Sequence, residues 1–404
     1  MRKTERVIFF FATKFNQRDY HRFGFDILEK RGYKVEAWDF SPWHRPDYYK
    51  YYNVPDPITF KGHVLVKSEN EIKNRMENIS QVDTVVDPWM IINDYPFIQD
   101  IIQKEKITFG NLYLGSLPDA KSISNLKSTL VSGNEKSFEL KKVVKAVSRK
   151  IVQAKSFFKP NIVNKNKTKV TPSFIICGGE KANKSYSGFS NVNIDVIKAH
   201  SLDYDRYLEE ESKNEDVDME SNYAIFLDED VPFHPDQLHH GDDPDCDPEK
   251  YYSELNYFFK FFENSFGLPV LIAAHPRANY QKRKNLFDGR QIVIGNTIHY
   301  VKYSTIVLSH LSTAKSFSIL YNKPIIFLDS DSYSLRFREE ILGHATALGE
   351  SPVNISNDLH LNKLNGQIDK ELYKSYKETY IKEAGTPEKP IWDVFCDYLD
   401  TMNA

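Results

Sequence analysis

Between positions 269 and 330 the chain reads PVLIAAHPRANY, then QIVIG, then TIVLSHLSTAKSFSILYNKPIIFLDS. Three apolar runs of four to six residues, joined by short connections, are the pattern of parallel strands buried on both faces. Such strands need crossover helices, so this stretch commits the chain to an α/β architecture. Ligands of open parallel sheets bind outside the carboxyl ends of the strands. His275, followed by Pro276 and Arg277, falls at one such end, and Ser309, His310, Ser312 and Thr313 fall at the next. Residues 314–320 read as a helix with Lys315 and Ser316 in its first turn, and the free N–H groups where it starts suit a phosphate. A phosphate-bearing ligand at this edge is the main expectation.

The chain has 404 residues, too many for one ordinary core, which argues for two domains. A net charge of −3 excludes binding of nucleic acid through bulk charge. Cys177, Cys246 and Cys396 are far apart and odd in number, which points to a reducing compartment without a disulfide framework. The opening MRKTERVIFFFATKF has a short apolar run and no small-residue cleavage site, so it reads as a first strand and not as a signal peptide. No run approaches the roughly 18 apolar residues of a membrane span. A cytoplasmic protein is expected.

Strands are expected over 7–13, 34–40, 63–66, 83–86, 107–113, 173–177 and 194–199, with a helix over 18–31 stopped by Gly32. The Pro- and Tyr-rich stretch 41–61 reads as a loop or lid. Ten Lys/Arg and no acid occur between Leu140 and Val170, part of a basic helical segment 136–170. That segment is either a solvated helix packed on its domain or a face for an anionic partner, the lipid of the inner membrane in peripheral contact or an anionic acceptor. The boundaries follow: a first domain over 1–205, an acidic linker over 206–221, a second domain over 222–385, and a final helix over 386–404 that could cross back onto the first domain.

Asp228, Glu229, Asp230, His234, His239, His240, Asp242 and Asp243 are dense enough to suggest a divalent ion, but their spacing matches no fixed ligand geometry, so no metal is expected. The absence of GxGxxG, a P-loop and GxSxG argues against dehydrogenase, NTPase and α/β-hydrolase chemistry. Gly178-Gly179 reads either as a close-approach turn for a ligand or as an ordinary turn. Chemically, His275 could donate to a phosphate oxygen and offset charge as a leaving group departs. Ser312 and Thr313 would supply hydroxyl and backbone donors to the same phosphate, and Arg277 could pair with a carboxylate or phosphate.

The His275-Pro276 pair followed by Ser312-Thr313 at a helix start resembles the HP and Ser-Ser/Thr motifs of bacterial GT-B sialyltransferases. More broadly it resembles transferases of CMP-activated nonulosonic (ulosonic) acids. The resemblance covers about residues 222–330. It implies a GT-B fold of two Rossmann-like, doubly wound domains facing a central cleft, with acceptor on the first domain and nucleotide on the second. It implies an inverting, metal-independent transfer of a sialic-, pseudaminic-, legionaminic- or Kdo-type sugar from its CMP conjugate to a glycan or lipid-linked acceptor. It also implies that His275, Ser312 and Thr313 touch the CMP phosphate. Those families carry an acidic pair followed by Gly as general base in the first domain, and this chain has no such triplet there. From position alone Asp19 takes that role, with His21, Asp87 and Asp203 as alternatives. Two other readings stay open: a GT-B transferase of UDP- or other NDP-sugars, and a non-catalytic nucleotide- or sugar-binding assembly protein.

Overall fold

The computed structural model describes residues 4–87, 89–118, 170–182, 194–213, 222–234, 236, 244–278, 280, 283, 285–356, 359 and 367–403. The basic segment 136–170 and the residues His239, His240, Asp242 and Asp243 fall almost wholly outside these, with only Val170 described.

The first sheet consists of β1 (Arg6–Phe11), β2 (Lys34–Asp39), β3 (His63–Leu65), β4 (Asp83–Val86), β5 (Thr108–Tyr113), β6 (Phe174–Gly178) and β7 (Asp195–Ala199). Its order is β3-β2-β1-β4-β5-β6-β7, and every pairing is parallel. The second sheet consists of β8 (Ala224–Leu227), β9 (Val270–Ala273), β10 (Ile292–Val293), β11 (Ile306–Ser309), β12 (Ile325–Asp329) and β13 (Val353–Asn354), in the order β10-β9-β8-β11-β12-β13, again parallel.

The unbroken apolar runs have a direct cause. Val7, Phe9 and Phe11 face one core with Phe25, Leu28, Trp392 and Phe395. Ile8 and Phe10 face the other with Trp38, Ile72, Met76 and Ile98. A central strand covered on both sides cannot alternate apolar with polar. The second sheet holds one large core, to which the helix Pro248–Phe266 contributes Tyr251, Leu255, Phe258, Phe259 and Phe262.

The helix expected over 18–31 is two helices, Gln17–Arg22 and Phe25–Lys30. Gly24 divides them with φ 59°, and a Cβ there would lie 2.1 Å from Trp392. That tryptophan belongs to the terminal helix Ile391–Asn403; it packs on Phe9 and donates its indole N–H to Arg22 O at 3.0 Å. The 41–61 stretch carries two short helices, Ser41–His44 and Pro46–Tyr51. Helix Leu202–Glu211 occupies the first part of the stretch read as a linker, and its Tyr204 is buried in the second core. Gly178-Gly179 is a close-approach turn for this chain's own main chain. Gly178 abuts the His200 main chain, and Gly179, at φ 81°, abuts Thr379 O.

Each sheet changes winding direction once, between β1 and β4 in the first and between β8 and β11 in the second. With the terminal helix, these two doubly wound halves form a two-domain, Rossmann-like GT-B fold. Among the described residues no helix is long and apolar enough to cross a membrane.

Candidate functional site

Both switch points open into one cleft of about 740 Å³. The first domain contributes Thr13 and Lys14 after β1, Asp87 after β4, Arg18, Asp19 and Arg22 from helix Gln17–Arg22, and Tyr48. The second contributes Glu229 after β8, His275 and Arg277 after β9, and Leu311, Ser312 and Thr313 after β11. The expected site residues Asp19, His275, Arg277, Ser312 and Thr313 therefore meet, although about 250 or more positions separate Asp19 from the others. The Tyr52 hydroxyl donates to Arg277 O at 3.1 Å, a direct bond between the two domains.

Asn16 caps the helix that carries Asp19, accepting the Asp19 N–H at 3.0 Å. The Asp19 side chain is 12% exposed, and its nearest cation is Arg18 Nη1 at 3.9 Å, beyond hydrogen-bond length. Burial raises its pKa to about 6, and Arg18, Arg22 and Arg277 limit the rise. A group with that pKa is ionised at neutral pH yet basic enough to accept a proton. Asp87, in the left-handed conformation at φ 55°, is also raised to about 6 by burial, against a hydrogen bond from the Leu112 main chain. Asp203 is raised by burial as well, but it does not line the cleft. His21 is exposed, 2.7 Å from the Gln17 amide, and also lies off the cleft.

His275 has its main-chain N–H on the Tyr280 hydroxyl at 3.0 Å, which fixes the strand exit. Its Nδ1 is buried and, among the described residues, finds no hydrogen-bond partner. Burial, then His234, Arg277 and Arg18, hold its pKa well below the usual histidine value. The imidazole is thus neutral, and it would meet a phosphate as an N–H donor, not as a resident cation. Arg277 is committed to Asp236 through bonds of 2.8 and 3.0 Å.

The helix after β11 runs Lys315–Leu320, only six residues, so local N–H groups matter more than any dipole. The Ser312 hydroxyl accepts the Ala314 N–H at 3.3 Å, and Thr313 is exposed to the cleft. Beneath this turn lies buried Lys315, whose ammonium donates to Ser312 O at 3.2 Å. Glu229 accepts the Leu311 N–H at 3.3 Å. Burial pushes Glu229 up and Lys315 down, and each opposes the other's shift.

Three of the expected site residues lie outside the cleft lining. His310 is fully buried, 2.8 Å from Leu328 O, among the rings of Phe226, Tyr251, Tyr333 and Phe337. Ser309 is the buried last residue of β11, and Pro276 is exposed outside the cleft lining. The acid-rich turn is structural in two of its three members. Asp228 accepts from Tyr280, Tyr251 and the Asp230 N–H at 2.7, 2.9 and 3.0 Å. Asp230 is gripped by Arg283 at 2.5 and 2.6 Å and by Tyr252 at 3.1 Å. Among the described residues no group of His, Cys, Asp and Glu could hold a metal ion.

Sequence reasoning passed over Arg18, Arg22 and Tyr48, and met Glu229 only as one of the acids weighed for a metal ion. The available signal was RDYHR, in which two arginines four apart flank Asp19 on one helical face.

No family model matches the chain, and no curated protein sequence does. Solved structures are similar to it over nearly the whole length at low identity. The wall teichoic acid polymerase TagF has 11% identity and a TM-score of 0.47, covering 99% of this chain and 89% of its own. S. aureus MnaA, solved with UDP, has 12% and 0.46, covering 98% and 97%. The UDP-GlcNAc 2-epimerase of Methanocaldococcus jannaschii has 12% and 0.46, covering 99% and 100%.

Proposed function

We propose that this chain is a glycosyltransferase that moves a sugar from a nucleotide donor to an acceptor hydroxyl. The observation that carries the reading is Asp19. It is a buried carboxylate without a hydrogen-bonded partner among the described residues, across one cleft from an unpartnered imidazole nitrogen on His275. In this reading Asp19 takes the acceptor proton as the acceptor oxygen bonds to the anomeric carbon. The anomeric C–O bond to phosphate breaks, and its electron pair leaves on the phosphate oxygen. His275 and the Ser312-Thr313 turn donate to that phosphate, strongest when its charge has developed. No metal is assigned to the step.

The HP and Ser-Thr motifs support CMP as the nucleotide and a nonulosonic acid as the sugar. A UDP- or other NDP-sugar would present a phosphate to the same donors. Calorimetry with CMP, CDP, UMP and UDP separates the two readings. Tighter cytidine binding upholds the first, and tighter uridine binding replaces it with the second. If none of the four binds or raises the melting temperature, the transferase reading fails in favour of a non-catalytic assembly protein.

A further inference from the structure

Arg18 and Arg22 stand one turn apart on helix Gln17–Arg22, and both line the cleft. Arginine side chains held this close ordinarily find carboxylates. Here, among the described residues, neither guanidinium makes a side-chain hydrogen bond, and the sole ion-pair contact of the two is Arg18 to Asp19 at 3.9 Å. Arg277, the third arginine of the cleft, differs in kind because Asp236 already occupies its fork. Burial lowers the Arg18 pKa to about 10, and Arg22 and Arg277 act in the same direction against Asp19 and Asp203. Two mutually repelling forks at a cleft wall, that of Arg18 dehydrated, are held at a cost that an incoming anion would remove. The main chain keeps them in place independently of that anion: Arg18 N–H donates to Asp56 at 2.8 Å, and Arg22 O accepts from Trp392 at 3.0 Å.

We propose that Arg18 and Arg22 form a second anion subsite, on the acceptor-side domain, for one oxyanion of the substrates other than the phosphate held by His275 and the Ser312-Thr313 turn. This rests on the transferase reading and narrows it. The sugar transferred, or the donor that carries it, has a further acidic group. Two sources share that chemistry, the carboxylate of an acidic sugar and the second phosphate of a nucleoside diphosphate.

The test compares the wild type with Arg18→Gln, Arg22→Gln and the double variant, together with Arg22→Lys. Calorimetry measures CMP and UMP alone, CDP and UDP alone, and N-acetylneuraminate or glucuronate added to the nucleotide-saturated protein. Monophosphate affinity is expected to hold within about threefold in every folded variant. A carboxylate source is identified if acidic-sugar binding weakens about tenfold or more per glutamine, the scale of a lost charge-assisted hydrogen bond. A diphosphate source is identified if CDP or UDP falls to the affinity of its monophosphate. Arg22→Lys should keep part of either effect, since charge persists without the fork. If every ligand binds the double variant as it binds the wild type, the subsite does not exist. If none of CMP, CDP, UMP and UDP binds the wild type, the transferase reading fails instead, and the arginine dependence of acidic-sugar binding to the nucleotide-free protein still reads the subsite by itself.

Discussion

Replacing Asp19 with Asn should make the protein more stable and inactive at once, and the sizes of both effects follow from the site. The carboxyl is buried, its pKa rises from 3.8 to about 6, and its arginine neighbours are already included in that balance. A carboxyl with a raised native pKa holds its proton more tightly folded than unfolded. Stability therefore falls as pH climbs from the unfolded value through the native one, and the full penalty applies above about pH 7. A shift of about two units corresponds to about 3 kcal/mol. Asn has nearly the same shape and no charge to desolvate, so Asp19→Asn should gain about 2–3 kcal/mol at pH 8 and almost nothing at pH 4. For a domain of this size that is about 4–10 °C in the melting transition of the first domain. Removing the base should lower turnover by about 10²–10⁴-fold. Calorimetric melting of both proteins across pH 4–8, with transfer assays at pH 7.5, reads both quantities. Equal melting at pH 8 would refute the burial argument, and near-wild-type turnover would refute the base.

His275→Ala should reduce turnover by about 10²-fold or more while the fold survives, and undiminished turnover of a folded variant would remove His275 from the chemistry. Trp392→Ala should cost about 3–5 kcal/mol, because a fully buried indole leaves a cavity beside Phe9 and Gly24; a loss below about 1 kcal/mol in urea melts would mean the terminal helix is only loosely attached. Activity should persist in EDTA, and loss restored by Mg or Mn would return the acidic turn after β8 to consideration as a metal site.

The α/β class and the terminal helix were legible because both depend on local pattern, an unbroken apolar run and an amphipathic stretch. The failures share a non-local cause. The break at Gly24 exists because Trp392, far away in sequence, needs its space. His275 and His310 look alike in sequence, each near the carboxyl end of an apolar strand. His310 is buried among four aromatic rings, Phe226 of β8, Tyr251 of helix Pro248–Phe266, Tyr333 of the turn after β12 and Phe337 of helix Leu335–Thr346, while His275 lines the cleft between the domains. The alternation of a strand cannot say which side the chain leaves on. Glu229 was hidden the same way, between two acids that fold inward.

Those three neighbouring acids suggest how structural and chemical carboxylates separate in such a cleft. Asp228 and Asp230 are each satisfied by hydroxyl, guanidinium or main-chain donors within 3.1 Å. Those donors replace water around them. Burial raises Asp228 and Asp19 alike to about 6, so the two differ in geometry and not in titration. Asp19 has no donor within hydrogen-bond length among the described residues, only a guanidinium at 3.9 Å. His275 Nδ1 and the guanidinium groups of Arg18 and Arg22 likewise find no hydrogen-bond partner among the described residues. Unmet demand on the first-domain wall and on the second-domain wall is complementary, but the two walls do not meet each other's needs directly. An acceptor hydroxyl with a proton to give and a donor with oxyanions to place would together satisfy all of them. The Tyr52–Arg277 bond joins the two domains at Arg277, one of the residues of the cleft wall.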